Sequence, residues 1–162
     1  MDKSAVISAD GEYRYLLRRR WAFGPAMVFL MLNPSTADAD NDDPTIRRCI
    51  GFARDRGFGA VEVGNLFALR ATDPTVMKRH AKPIGPDNND HLMAMMVKAA
   101  GDQAPVIAAW GCHGTHLRRA QRVVELSANG QPLQCLGVTK DGHPRHPLYV
   151  RADQPLIRFG RA

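Results

Sequence analysis

Cysteine is scarce in this chain: Cys49, Cys112 and Cys135 are three in number and form no C-x-x-C pair. That excludes a disulfide framework and makes a reducing compartment the expectation. Long hydrophobic runs are also missing. The longest, Ala26–Leu32, is strand-sized and far short of the about 18 residues of a membrane span. The opening Met1-Asp2-Lys3-Ser4 lacks the basic-then-apolar layout of a signal peptide, so a cytoplasmic protein without membrane contact is expected. Neither G-x-x-x-x-G-K-[ST] nor G-x-G-x-x-G occurs, which removes the common nucleotide-binding loops. Internal repeats and low-complexity segments are absent as well.

What is present is an ordinary globular composition. The 162 residues are 44% hydrophobic and 23% charged, enough for one domain with its own core. The 22 Lys and Arg exceed the 16 Asp and Glu, giving a net charge of +6. Cations cluster at Arg18–Arg20, Arg47-Arg48, Lys78-Arg79 and Arg118-Arg119. Such charge helps a chain approach polyanions, although charge runs are most often solvated faces.

The element pattern predicts a single α/β domain over residues 1–162. Residues 1–25 read as a β-hairpin, with Ala5–Ser8 and Glu12–Trp21 about Asp10-Gly11 and with Tyr13, Tyr15 and Leu17 alternating in the second arm. Residues 26–150 read as the core. Strands at Ala26–Leu32, Ala60–Leu66, Pro105–Trp110 and Leu133–Val138 alternate with helices. One helix follows the cap Asp43-Pro44 and buries Ile46, Cys49, Ile50 and Ala53. A short one follows Asp73-Pro74, and one from about Asp87 to Ala100 turns Leu92, Met93, Met96 and Ala99 inward. The last is capped by Thr115 and runs through Ser127. Alternation of this kind predicts a three-layer α/β/α arrangement with a four-stranded parallel sheet. Residues 151–162 form a tail.

Parallel strands point their carboxyl ends at one edge, where ligands bind. The segments after the four strands are Asn33–Asp38, Asn65–Arg70, Trp110–Gly114 and Thr139–Pro147, each turning from apolar to polar. Their convergence predicts a pocket. Gly111–Gly114 could present backbone N–H groups to an anion or make only a tight turn. In His143-Pro144-Arg145-His146-Pro147, two prolines stiffen a loop carrying two imidazoles and a guanidinium. Asp38–Asp43 fails as a calcium loop, with Asp43 where glycine and Cys49 where glutamate are required. Zinc is no better served by scattered cysteines, and Cys112 carries no mark of an activated nucleophile.

At these loops the chain resembles a bacterial and phage family of unknown function, number 1643. The residues are Leu32–Asp38, Asn65–Thr72, Ala109-Trp110-Gly111 and Thr139–Pro147. More distantly it resembles the uracil-DNA glycosylase superfamily, whose motifs follow four parallel strands in the same order. Asn33-Pro34, Asn65-Leu66-Phe67, Gly111 and His146-Pro147-Leu148-Tyr149 match those motifs, with His143-Pro144 as the other registration of the last.

This likeness implies hydrolysis of an N-glycosidic bond in DNA or a nucleotide, on a base drawn from its stack. Asn33 would position the water, with Pro34, Ser35 and Thr36 beside it. Asn65 would read the base edge, and His146 or His143 would stabilise the departing base. Phe67 would stack on the ring, and Leu148 or Tyr149 would wedge into the vacated stack. Gly111, His113, Arg70 and Arg145 complete the implied binding set. The aspartate that precedes proline in the best-known members is absent, so Asp38 or Asp43 would have to substitute. No cofactor or metal is implied, and three cysteines cannot hold an iron–sulfur cluster. Two other readings stand beside this one: a non-catalytic nucleic-acid or nucleotide-binding module, and a metal-dependent phosphohydrolase using Asp38, Asp40 and a histidine.

Overall fold

In the computed structural model, which describes residues 1–128 and 130–160, the chain opens with β1 (Asp2–Ile7) and β2 (Arg14–Arg20), paired antiparallel. Val6 faces Leu16 and Ile7 faces Arg14, so Tyr15 is an extra residue in a β-bulge. A bulge puts two successive side chains on one face. Tyr15 stacks on His91, and Leu16 packs into the same core. Arg14 is thereby turned to the other face, which it shares with Leu17 and Arg19.

β3 (Ala26–Met31) and β4 (Ala60–Asn65) are buried along their whole length, as their continuous apolar character requires. They pair parallel with each other, β3 pairs parallel with β5 (Val106–Ala108), and β5 with β6 (Gln134–Cys135). The sheet does not stop at four strands. β2 joins β4 antiparallel, and β7 (Ile157–Arg158) joins β6 antiparallel, giving a seven-stranded mixed sheet in the order β1-β2-β4-β3-β5-β6-β7. The N-terminal hairpin is thus an extension of the sheet, and the segment expected as a tail supplies an edge strand.

Helices pack on both faces. α1 (Pro44–Asp55) begins at the predicted cap, with Asp43 Oδ1 accepting from the Ile46 N–H at 2.9 Å. It buries Ile46, Cys49, Ile50, Phe52 and Ala53 against Met27, Phe29, Val61 and Ile107. α2 (Pro74–Arg79) is capped by Asp73. α3 (Asn88–Gly101) covers the opposite face with Leu92, Met95, Met96 and Ala99, against Val28, Leu30 and Val106. Met95, and not Met93, points inward: Met93 lies at the helix margin and is 36% exposed. α4 (Arg119–Leu126) starts later than Thr115. Gly111–Arg118 is a tight 3₁₀ segment, and Leu117 and Arg118 in left-handed backbone (φ +51° and +55°) separate it from α4. Thr115 therefore caps nothing.

Candidate functional site

The carboxyl ends of β3 and β4 and the segments after β5 and β6 enclose a cavity of about 520 Å³. Asn33 and Ser35 come from the β3 loop and Asn65 from the end of β4. Gly111, Cys112 and His113 follow β5, while Arg145, His146, Leu148 and Tyr149 follow β6. Nine residues singled out in the sequence thus share one cavity: Asn33, Ser35, Asn65, Gly111, His113, Arg145, His146, Leu148 and Tyr149.

Others lie outside it. Phe67 is fully buried in the core against His116, so the ring expected to stack on a base faces the interior. Asp38 accepts from the Asp40 and Asn41 N–H groups and holds its own turn, which lowers its pKa. Arg70 donates to the Gly11 carbonyl, and Thr36 is exposed. Pro34 is buried, its carbonyl accepting from the Ala71 N–H. His143 closes the small hairpin that Val138 and Pro144 bridge, with its N–H on the Thr139 hydroxyl. The anion cradle at Gly111 is not free either. Its N–H donates to the Pro144 carbonyl at 2.9 Å, and φ of +72° explains the glycine. Gly114 is needed for close approach: a Cβ there would sit 2.6 Å from the Trp110 ring.

One charged cavity residue was not anticipated from the sequence, and one alternative is decided by position. Arg14 reaches the wall through the bulge, is 2% exposed, and donates from Nη1 to the Ala37 carbonyl. The alternation of Tyr13, Tyr15 and Leu17 in the sequence skips Arg14 and carries no mark of a cavity residue there. Of the two carboxylates named as substitutes for the missing aspartate, Asp43, which is also the helix cap, lines the cavity. Its position favours it over Asp38 as the carboxylate of the site.

The polar atoms have defined states. His146 Nδ1 accepts from the Leu148 N–H at 3.2 Å, which leaves a neutral ring with its proton on Nε2. Burial lowers the His146 pKa, opposed by the charge of Asp43. Lys78 Nζ lies 2.9 Å from His113 Nδ1. An ammonium can only donate, so His113 is also neutral with its proton on Nε2. Burial is the main cause of its lowered pKa, followed by the Lys78 charge and then His143. Arg48 of α1 anchors the His146 loop by donating to the carbonyls of Pro147 and Val150.

Asn33 Nδ2 is engaged by the Pro34 and Ala71 carbonyls at 3.1 and 2.7 Å. Asn65 differs. It is 1% exposed, and both Nδ2 and Oδ1 are buried without a hydrogen-bond partner. Its backbone carbonyl is held by Asn88 Nδ2 at 2.9 Å, which fixes the strand end. Buried polar groups are rarely left unmet, so an unpartnered amide in a cavity wall calls for a partner that the protein itself does not supply. Among the described residues, no three His, Cys, Asp or Glu side chains are grouped to hold a metal. Asp38 and Asp40 in particular lie outside the cavity lining.

The molecule is therefore a mixed α/β protein with a ligand-sized cavity at the carboxyl edge of its parallel strands. Residues 14–148 match the family described as "Protein of unknown function (DUF1643)", and the chain belongs to that family. No curated protein and no solved structure matches it. No helix among the described residues is long and apolar enough to cross a membrane.

Proposed function

We propose that the cavity receives a nucleobase attached to its sugar, in nucleic acid or in a nucleotide, and that the protein hydrolyses the N-glycosidic bond. The buried, unpartnered amide of Asn65 carries this reading. A carboxamide offers one donor and one acceptor side by side, the complement of a lactam edge on a base. The likeness of Asn33-Pro34, Asn65-Leu66-Phe67, Gly111 and His146-Pro147 to the ordered motifs of the uracil-DNA glycosylase superfamily supports the same reading.

In the proposed reaction the bond from the anomeric carbon to the base nitrogen breaks and its electron pair leaves with the base. The neutral His146 stabilises that departing anion by donating a hydrogen bond from Nε2–H, and the anion later takes a proton from solvent. Water adds to the anomeric carbon. Asn33 Oδ1 orients it, and Asp43 stabilises the cationic sugar and takes the water proton. Leu148 and Tyr149, 41% and 79% accessible, would enter a stack from which a base has been drawn, a role that their exposure supports.

The test is base release from single altered bases in oligonucleotides and from free nucleosides and nucleotides, followed by chromatography and by alkaline strand scission. Wild-type protein is expected to release at least one base. His146→Ala should lower that rate by about 10²–10³-fold with an unchanged circular dichroism spectrum. Asn65→Asp should alter which base is accepted. Saturable, salt-sensitive binding with no release across the panel would instead identify a binding module.

A further inference from the structure

Arg14 is unlike the other cations of the site. Rim Arg145 is exposed, whereas Arg14 is 2% exposed and lines the cavity from the strand next to the one that ends in Asn65. Its Nη1 donates to the Ala37 carbonyl at 2.8 Å, but Nε is buried with no partner. Among the described residues, no carboxylate lies within 4.0 Å of it. Burial is the main cause that lowers its pKa, to about 10, with Asp43 and Asp38 acting on it favourably at longer range and Arg70 and Arg19 unfavourably. A buried cation with no ion pair and an unmet donor, in a residue of the cavity wall, is costly, and an anion bound in the cavity would relieve that cost.

We propose that Arg14 is the receptor for an anionic oxygen of the ligand, so that the cavity selects an acid over the corresponding neutral base or nucleoside. Asn65 and Arg14 then read adjacent parts of one molecule: the amide takes a lactam edge and the guanidinium takes a carboxylate or phosphate. The neutral states of His113 and His146 leave Arg14 as the buried positive charge in the wall. This inference rests on the cavity being a nucleobase site but not on the bond being cleaved there.

Binding of five probes by calorimetry tests it: uracil, uracil carrying a ring carboxylate (orotate), uridine, uridine 5′-monophosphate and inorganic phosphate. Wild-type protein should bind orotate more tightly than uracil, or the monophosphate more tightly than uridine, by about tenfold or more. A preference within the first pair locates the anion on the base, and one within the second locates it on a phosphate. Binding of inorganic phosphate alone would keep the anion receptor and remove the nucleobase reading. In Arg14→Gln the preference should collapse to within about threefold, and Arg14→Lys should restore part of it. Should Arg14→Gln not fold, wild type against Arg14→Lys carries the comparison. Equal binding of charged and neutral members by wild type, a preference unchanged in Arg14→Gln, or no binding of any probe would overturn the proposal. Base release without acid preference would overturn this inference alone.

Discussion

Two arginines of β2, Arg14 and Arg19, project from the same face of the sheet, and both are almost wholly buried. Arg19 is fully satisfied. Nε donates to Asp42 Oδ1 at 2.7 Å, Nη1 to the carbonyls of Ser4 and Arg18, and Nη2 to those of Asp38 and Asn41. All five of its donors have acceptors. Arg14 has one protein acceptor and an unmet Nε, and it faces the cavity. Equal burial therefore does not mean equal role. Arg19 ties the Asp38–Asp42 loop to the strand, while Arg14 holds donors ready for a group the protein does not supply.

The difference can be broken first at Arg19. Arg19→Met would strand Asp42 and four carbonyls, and should cost about 3–5 kcal/mol of stability, read from urea denaturation midpoints at constant m-value. A loss below about 1 kcal/mol would show the network to be ornamental. At Arg14 the opposite holds. Arg14→Met removes an uncompensated charge, so stability should change by no more than about 1 kcal/mol in either direction. A collapse of stability there would make Arg14 a structural residue like Arg19.

The histidines of the cavity give an intermediate effect with a definite sign. His113 and His146 have pKa values below the ordinary 6.5 in the folded protein. On acidification the unfolded chain takes up their protons first, so stability is complete above about pH 6.5 and declines as pH falls towards the folded-state values. Denaturation midpoints across pH 5 to 8 should show this slope, reduced in His146→Gln. The imidazolium keeps Nε2–H, so base release should persist through the acidic limb, and a loss there with the fold intact would show that the neutral ring is required. The smallest effect is at the rim: Arg145→Ala should shift stability by less than about 0.5 kcal/mol, and should lower the salt dependence of polyanion binding by about one contact.

The carboxyl-edge loops were legible because strand ends and turn residues are local signals. Asn33, Asn65 and His146 stand at such ends, and the Asp43 cap announced α1 through the proline that follows it. Three features were not legible, each for a non-local reason. The Tyr15 bulge depends on how β2 pairs with β1, and it sets Arg14 on the face shared with Leu17 and Arg19. Phe67 looks like a loop aromatic, yet packing on the α3 face of the sheet takes it into the core. The late start of α4 follows from a left-handed break at Leu117 and Arg118, positions where no glycine advertises it.

By itself, then, the order of residues determined the alternation of strands and helices and the polarity of the segments that meet at one edge, because periodicity and capping act over a few residues. Only the tertiary structure decided how far the sheet extends and which buried arginine is answered by the protein. Those outcomes depend on which distant carbonyls and carboxylates come within hydrogen-bonding reach, and that distance is set when strands pair.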